Sequence, residues 1–215
     1  GTLESNRHNS TEIMSHLKFG KIRNDALHIC IDMQLFFLQP GPWYCDDGGN
    51  VLEPIKSLIE HNTSRTIFTR FITPENAKDA QGAWKQFYAR WESVTLGRMN
   101  PSLLEIHPDL LNIDQNSSVL DKKTYDAFKE PLFSKLLENL KPSAIIFSGI
   151  ETDVCVMATV LSAVDLGYRV ILASDAITSS NRISHLSCIE HFYPRYDQQI
   201  EIANTSLILT EWGNT

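Results

Sequence analysis

The sequence lacks most of what would send it to a membrane, a nucleic acid or a nucleotide. Among its 215 residues no apolar run approaches the ~20 needed to cross a bilayer, so no membrane partner is expected. Basic residues are outnumbered, 19 Lys and Arg against 26 Asp and Glu, and they form no block. The resulting charge of −7 makes nucleic acid and anionic lipid poor electrostatic partners. Neither G-x-G-x-x-G nor G-K-S/T occurs, so dinucleotide and P-loop sites have no support and no cofactor is expected. The opening residues, Gly1 to His8, carry no apolar stretch of the kind a secretory signal needs. Only four cysteines are present, Cys30, Cys45, Cys155 and Cys188, and no pair has C-x-x-C spacing. A dense disulfide framework and a zinc ribbon are both excluded, and a reducing, cytoplasmic setting is expected.

What remains is an ordinary globular composition, 42% hydrophobic and 21% charged. The length predicts one domain over residues 21–215, preceded by a polar arm over 1–20 with a short helix near Thr11 to Leu17. β-prone runs start at Ala26, Arg65, Ser118, Ala144 and Tyr168, with a weaker one over Gln199 to Ala203. Helical patterns alternate with them: one capped by Asn50, then Gln81–Ser93, Pro131–Leu140, Val154–Leu166 and Arg182–Phe192. This alternation predicts an α/β fold, a three-layer αβα Rossmann-like arrangement with a mostly parallel six-stranded sheet.

In such a sheet ligands bind at the carboxyl ends of the strands. Three reactive groups follow strands there: Asp32, the pair Lys122 and Lys123, and Cys155 in the first turn of a helix. An acid, an amine and a thiol meet on one rim if those strands are neighbours. A thiolate is the nucleophile, and a helix N-terminus and an ammonium both favour it. A carboxylate within reach can take the thiol proton and return it to a leaving group. The plainer alternatives are a loop-capping Asp, a solvated Lys and a core Cys.

The segments that carry these residues are Ile31-Asp32-Met33-Gln34-Leu35-Phe36-Phe37, Asp121-Lys122-Lys123-Thr124-Tyr125-Asp126-Ala127-Phe128 and Gly149-Ile150-Glu151-Thr152-Asp153-Val154-Cys155-Val156. Over about residues 24–210 the chain resembles the isochorismatase-like cysteine hydrolase superfamily, which includes nicotinamidases, N-carbamoylsarcosine amidases and ureidoacrylate amidohydrolases. Asp126 stands where that pattern usually has serine. The resemblance implies Asp32 as general base, Lys122 as the amine beside the thiolate and Cys155 as nucleophile. It also implies a cis peptide at Ile150–Glu151, with the N–H groups of Glu151 and Cys155 as oxyanion donors. A small-molecule substrate with an amide or carbamoyl C–N bond follows, cleaved through a thioester. A vinyl ether hydrolase and a silent binding protein on the same fold are the alternatives.

Nicotinamidases of this superfamily bind a metal through Asp and His after the second strand. Here that stretch is Thr69-Arg70-Phe71-Ile72-Thr73-Pro74, and the seven histidines form no H-x-H or H-x-x-x-H pair, so no metal is expected. Cys188 and His191 have no second pair to complete a site and are read as helix packing. Trp84, Phe87, Tyr88 and Trp91 make one helical stripe, which suits core packing, a pocket lid or a subunit interface. That stripe and the resemblance together point to a homo-oligomer, a dimer or larger. Phe37, Phe71, Trp84 and Tyr125 are expected in the pocket wall. Gln34 is expected to hold Asp32 or orient substrate, and Arg70 to meet a substrate carboxylate or form an ion pair.

Overall fold

A computed structural model describes residues 16–213. The chain runs β1 (Leu27–Ile31), α1 (Leu35–Leu38), α2 (Leu52–His61), β2 (Thr66–Phe71), α3 (Trp84–Arg90), α4 (Pro108–Leu111) and β3 (Ser118–Lys122). It continues through α5 (Pro131–Leu140), β4 (Ile145–Ile150), α6 (Cys155–Asp165), β5 (Val170–Thr178), α7 (Arg182–Ser187), β6 (Ile200–Ala203) and α8 (Thr205–Glu211). The six strands lie in the order β3-β2-β1-β4-β5-β6, and every pairing is parallel.

The alternation of side chains along each strand divides the core into two layers. Leu27, Ile29, Ile31, Ile145 and Phe147 pack with Phe133 and Leu137 of α5 and Val156 and Val160 of α6. On the other face Cys30, Phe68, Ile146 and Ile171 pack with Ile55, Leu58 and Ile59 of α2 and Ile208 of α8. A sheet covered on both sides explains why β4, apolar except for Ser148, is buried at all of its residues. The segment just before β1 joins this second layer: Leu17 and Ile22 are buried, and Ile22 bridges Trp212. The polar arm thus packs on the body from residue 16 onward, while most of the helix expected near Thr11 to Leu17 lies outside the described residues.

Several boundaries differ from expectation. Asn50 does not cap α2; a 3₁₀ turn over Gly48–Val51 leads into it, and Val51 is the cap residue. The aromatic stripe forms a shorter helix than Gln81–Ser93, because the chain breaks at Trp91 into a 3₁₀ turn over Glu92–Val94. Past Ser187 the α-helix widens into a π-helical turn over Cys188–Phe192. β5 runs on to Thr178, through a register shift against β4 between Phe147 and Gly149. Gly149 has φ +107°, and a Cβ there would lie 2.1 Å from the Ile31 carbonyl oxygen, so only glycine lets β1 and β4 close up at this level.

Candidate active site

The chain builds outward from β1 through β2 to β3, then crosses to the other side of β1 for β4, β5 and β6. The carboxyl ends of β1 and β4 therefore flank the point where the winding reverses, which is where an open α/β sheet leaves a crevice. Asp32 is the first residue beyond β1, and its φ of +53° turns the chain out of the sheet. Its carboxylate is buried and held from two sides. Thr69 Oγ1 on β2 donates to Oδ1 at 2.7 Å, and Lys122 Nζ donates to Oδ2 at 2.9 Å.

Lys122 is the last residue of β3 and is buried. Its ammonium has three donors and three acceptors: Asp32 Oδ2, the Thr124 carbonyl at 3.1 Å and Cys155 Sγ at 3.3 Å. The Phe71 ring lies 4.7 Å below the nitrogen. Burial works against the charge on Lys122, but Asp32 and Cys155 outweigh it and hold its pKa above the usual range. Burial and the Asp32 carboxylate push the Cys155 thiol well above its ordinary pKa, while Lys122 pulls it back. Asp32 and Lys122 thus form a buried ion pair in direct contact with the sulfur.

Cys155 is the first residue of α6, reached from β4 through a tight turn whose Ile150–Glu151 peptide is cis. The N–H groups of Val154 and Val156 both donate to the Glu151 carbonyl. Among the described residues the N–H groups of Glu151 and Cys155 have no acceptor. Two spare donors beside a buried thiol suit a developing oxyanion. Thr152 anchors the turn from beneath: its N–H donates to Thr178, its carbonyl accepts from the Tyr193 hydroxyl at 2.6 Å, and its hydroxyl pairs with His185 Nδ1 at 2.7 Å.

A cavity of about 380 Å³ opens above Asp32 and Cys155. Its wall is largely aromatic, with Phe37, Trp43, Tyr44, Phe71, Phe87, Trp91 and Tyr125. The polar lining beyond the acid and the thiol is Glu151 and Ser180. Among the described residues no group of three or more His, Cys, Asp or Glu side chains is placed to hold a metal ion.

The sequence profile of the Isochorismatase domain matches residues 26–203, most of the chain. The chain belongs to the isochorismatase family. A family protein of Bacillus subtilis is 27% identical over 58% of this chain and 60% of its own length. The match thus spans less than two thirds of that relative. Solved structures share the fold over a longer span. A cysteine hydrolase of Pseudomonas syringae pv. phaseolicola superposes with a TM-score of 0.73 at 21% identity, covering 89% of this chain and 96% of that one. An N-carbamoylsarcosine amidase of Thermoplasma acidophilum gives 0.65 at 17% identity, covering 84% and 96%.

Within this isochorismatase fold, Asp32, Lys122 and Cys155 come together, and Phe37, Phe71 and Tyr125 stand in the cavity wall. Three other expected pocket residues stand elsewhere. Gln34 is fully buried and ties α1 to the end of β2: its amide donates to the carbonyls of Phe71 and Leu104 and accepts from the Phe71 N–H. Its side chain reaches neither the Asp32 carboxylate nor the cavity; only its backbone N–H meets Asp32, donating to that residue's carbonyl at 2.8 Å. Arg70 forks onto Asp121 at 2.7 and 2.9 Å and reaches Glu105, on the opposite face of β2 from Thr69 and Phe71. Trp84 packs behind the wall, against Phe71 and Tyr125, and lines neighbouring grooves. Asp126, in place of serine, caps the turn after β3 by accepting from the Phe128 N–H and bonds Ser162 on α6. Thr69, Trp43, Tyr44 and Ser180 were not anticipated.

Proposed function

We propose that this isochorismatase-family chain is a metal-independent cysteine hydrolase of small amide or carbamoyl C–N bonds. The observation that carries the reading is the single ammonium, Lys122, bonded at once to the Asp32 carboxylate and the Cys155 sulfur beneath an aromatic-walled cavity. In the proposed reaction Asp32 accepts the thiol proton as the sulfur attacks the substrate carbonyl. The resulting thiolate character is favoured by Lys122 and by the N-terminus of α6. The carbonyl oxygen gains the electron pair and takes the N–H groups of Glu151 and Cys155. Collapse breaks the C–N bond, and the leaving nitrogen takes the proton from Asp32. A water then gives a proton to Asp32 and adds to the thioester. The C–S bond breaks, the acid leaves, and the sulfur recovers its proton. The stretch Thr69–Pro74, at the end of β2, holds no Asp or His, which supports the metal-independent form of the reading.

Cleavage of a vinyl ether such as isochorismate fits the cavity less well. That substrate carries two carboxylates, and among the described residues the cavity offers no uncommitted cation, since Lys122 is spent on Asp32 and Arg70 on Asp121. A binding protein without turnover would have no use for a thiol, an acid and an amine in mutual contact. The deciding experiment is ammonia release from a panel of small amides, ureas and carbamoyl compounds. Wild type, Cys155→Ala and a chelator-treated sample run side by side. Release that requires Cys155 and survives the chelator is expected. Turnover by Cys155→Ala would overturn the covalent mechanism, and loss with the chelator would overturn its metal independence.

A further inference from the structure

The cavity's charge and its walls do not match each other in an obvious way. Trp43 is its most constrained ring: it stacks on Phe37 at 6.1 Å and meets Phe87 at 5.6 Å and Trp91 edge-on at 6.4 Å. Such a wall would take any flat neutral molecule without further help. Yet the rim also carries a fixed anion. Glu151 Oε1 accepts from the backbone N–H of Ser180 at 2.8 Å, and Ser180 itself lines the cavity, so the carboxylate is pinned at the edge. Among the described residues no basic side chain lines the cavity to balance it. Lys122 neutralises Asp32, and Arg90, which lies over Trp91, belongs to the adjoining groove. The substrate cavity therefore presents aromatic faces and one uncompensated carboxylate, a pairing that attracts a cation and repels an anion.

We propose that the substrate's acyl part bears an ammonium, an alkylated one in particular, seated against Trp43 and Trp91 and facing Glu151. This rests on the amide-hydrolase reading and specifies its substrate class. Neutral amides would use the aromatic wall alone, and carboxylate-bearing carbamoyl compounds would meet Glu151 with like charge. The Glu151 side chain, as distinct from its N–H, thereby becomes a specificity residue.

Two amides of matched shape and a third that carries the opposite charge test this. They are trimethylammonioacetamide, its uncharged carbon isostere 3,3-dimethylbutanamide, and the anionic monoamide of malonic acid. The cation is expected to exceed the neutral isostere roughly tenfold in kcat/KM, with the anion lowest. Glu151→Gln keeps the backbone donor and an oxygen for Ser180, and should bring the cation-to-neutral ratio close to one. Binding of the same three compounds to Cys155→Ala, followed by tryptophan fluorescence, reads the preference without turnover. The same order there, with no hydrolysis by wild type, would sink the amidase reading and keep the cation site. A neutral isostere that performs or binds as well as the cation would overturn the proposal. So would a cation preference that Glu151→Gln leaves intact, or failure of all three to bind.

Discussion

Thr69 Oγ1 donates to Asp32 Oδ1 at 2.7 Å from the strand next door, so the carboxylate oxygen that Lys122 does not hold is also fixed. The Asp32 N–H returns the contact to the Thr69 carbonyl at 3.2 Å. A general base pinned on both oxygens has one direction left in which to meet the thiol. Thr69→Val keeps the shape and removes the donor. A hydrogen bond to a charged group is worth about 1.5–3 kcal/mol, so kcat/KM should drop by at least about tenfold. Thr69→Ser should restore most of it. Equal activity in the valine and threonine enzymes would show that Asp32 needs no such restraint.

Lys122 has a different weight, because removing it strands a charge. Asp32 and Lys122 side chains are each 1% exposed. Lys122→Met leaves the carboxylate buried without its partner, which should cost about 3–5 kcal/mol of stability as well as activity. The double variant Asp32→Asn, Lys122→Met buries no charge and should recover most of the stability while remaining inactive. Urea denaturation separates the two effects; a double variant as unstable as Lys122→Met would put the cost in packing instead.

The sequence made the ends of the strands legible and the space between them much less so. Asp32 stands directly after an apolar run and Cys155 in the first turn of the helix that follows another, whereas Lys122 is told from Lys123 only by the resemblance to the superfamily's motif; the parallel order then brings the three together. Trp43 and Tyr44 lie in an irregular loop, where no periodicity says which way a side chain faces. Arg70 admitted both a substrate carboxylate and an ion pair, and the ion pair forms with Asp121, a partner far along the chain that only the β2–β3 register brings beside it. Gln34 sits within a motif that suggested chemistry, yet it serves the backbone of β2. α8 carries a readable signal in Asn204, which caps it by accepting from the Leu207 N–H at 2.9 Å.

The resting thiol gives a prediction whose sign runs against a permanently ionised nucleophile. Burial and Asp32 raise the pKa of Cys155, so iodoacetamide should label it slowly near neutral pH, with the rate climbing through alkaline pH. Asp32→Asn removes a negative neighbour while Lys122 stays, so the thiol pKa should fall and labelling at pH 8 should accelerate. Catalysis should nonetheless be lost, since the base is gone. Cys30 and Cys45, buried and pushed up to about 12, should stay unlabelled. Peptide mass spectrometry over a pH series reads all three sites. Slower labelling in Asp32→Asn would mean that the carboxylate assists ionisation at rest.

His28 should set the acid side of the stability curve. It is wholly buried in β1, with Nε2 2.6 Å from Ser148 Oγ and Nδ1 3.1 Å from Thr66 Oγ1. Burial lowers its pKa to about 3. The unfolded chain binds a proton at His28 below about pH 6.5, whereas the folded chain declines it until near pH 3, so stability is full above the unfolded value and drains away as the pH falls between the two. From pH 7 to pH 5 this one side chain should cost about 2 kcal/mol. Other titrating groups contribute to any measured change, so the comparison is with His28→Gln, which cannot titrate. Urea midpoints at both pH values should show the wild type losing about 2 kcal/mol more than the variant. Parallel losses would mean that the folded protein protonates His28 as readily as the unfolded chain does, and that the Thr66 and Ser148 hydroxyls turn to accept from the imidazolium.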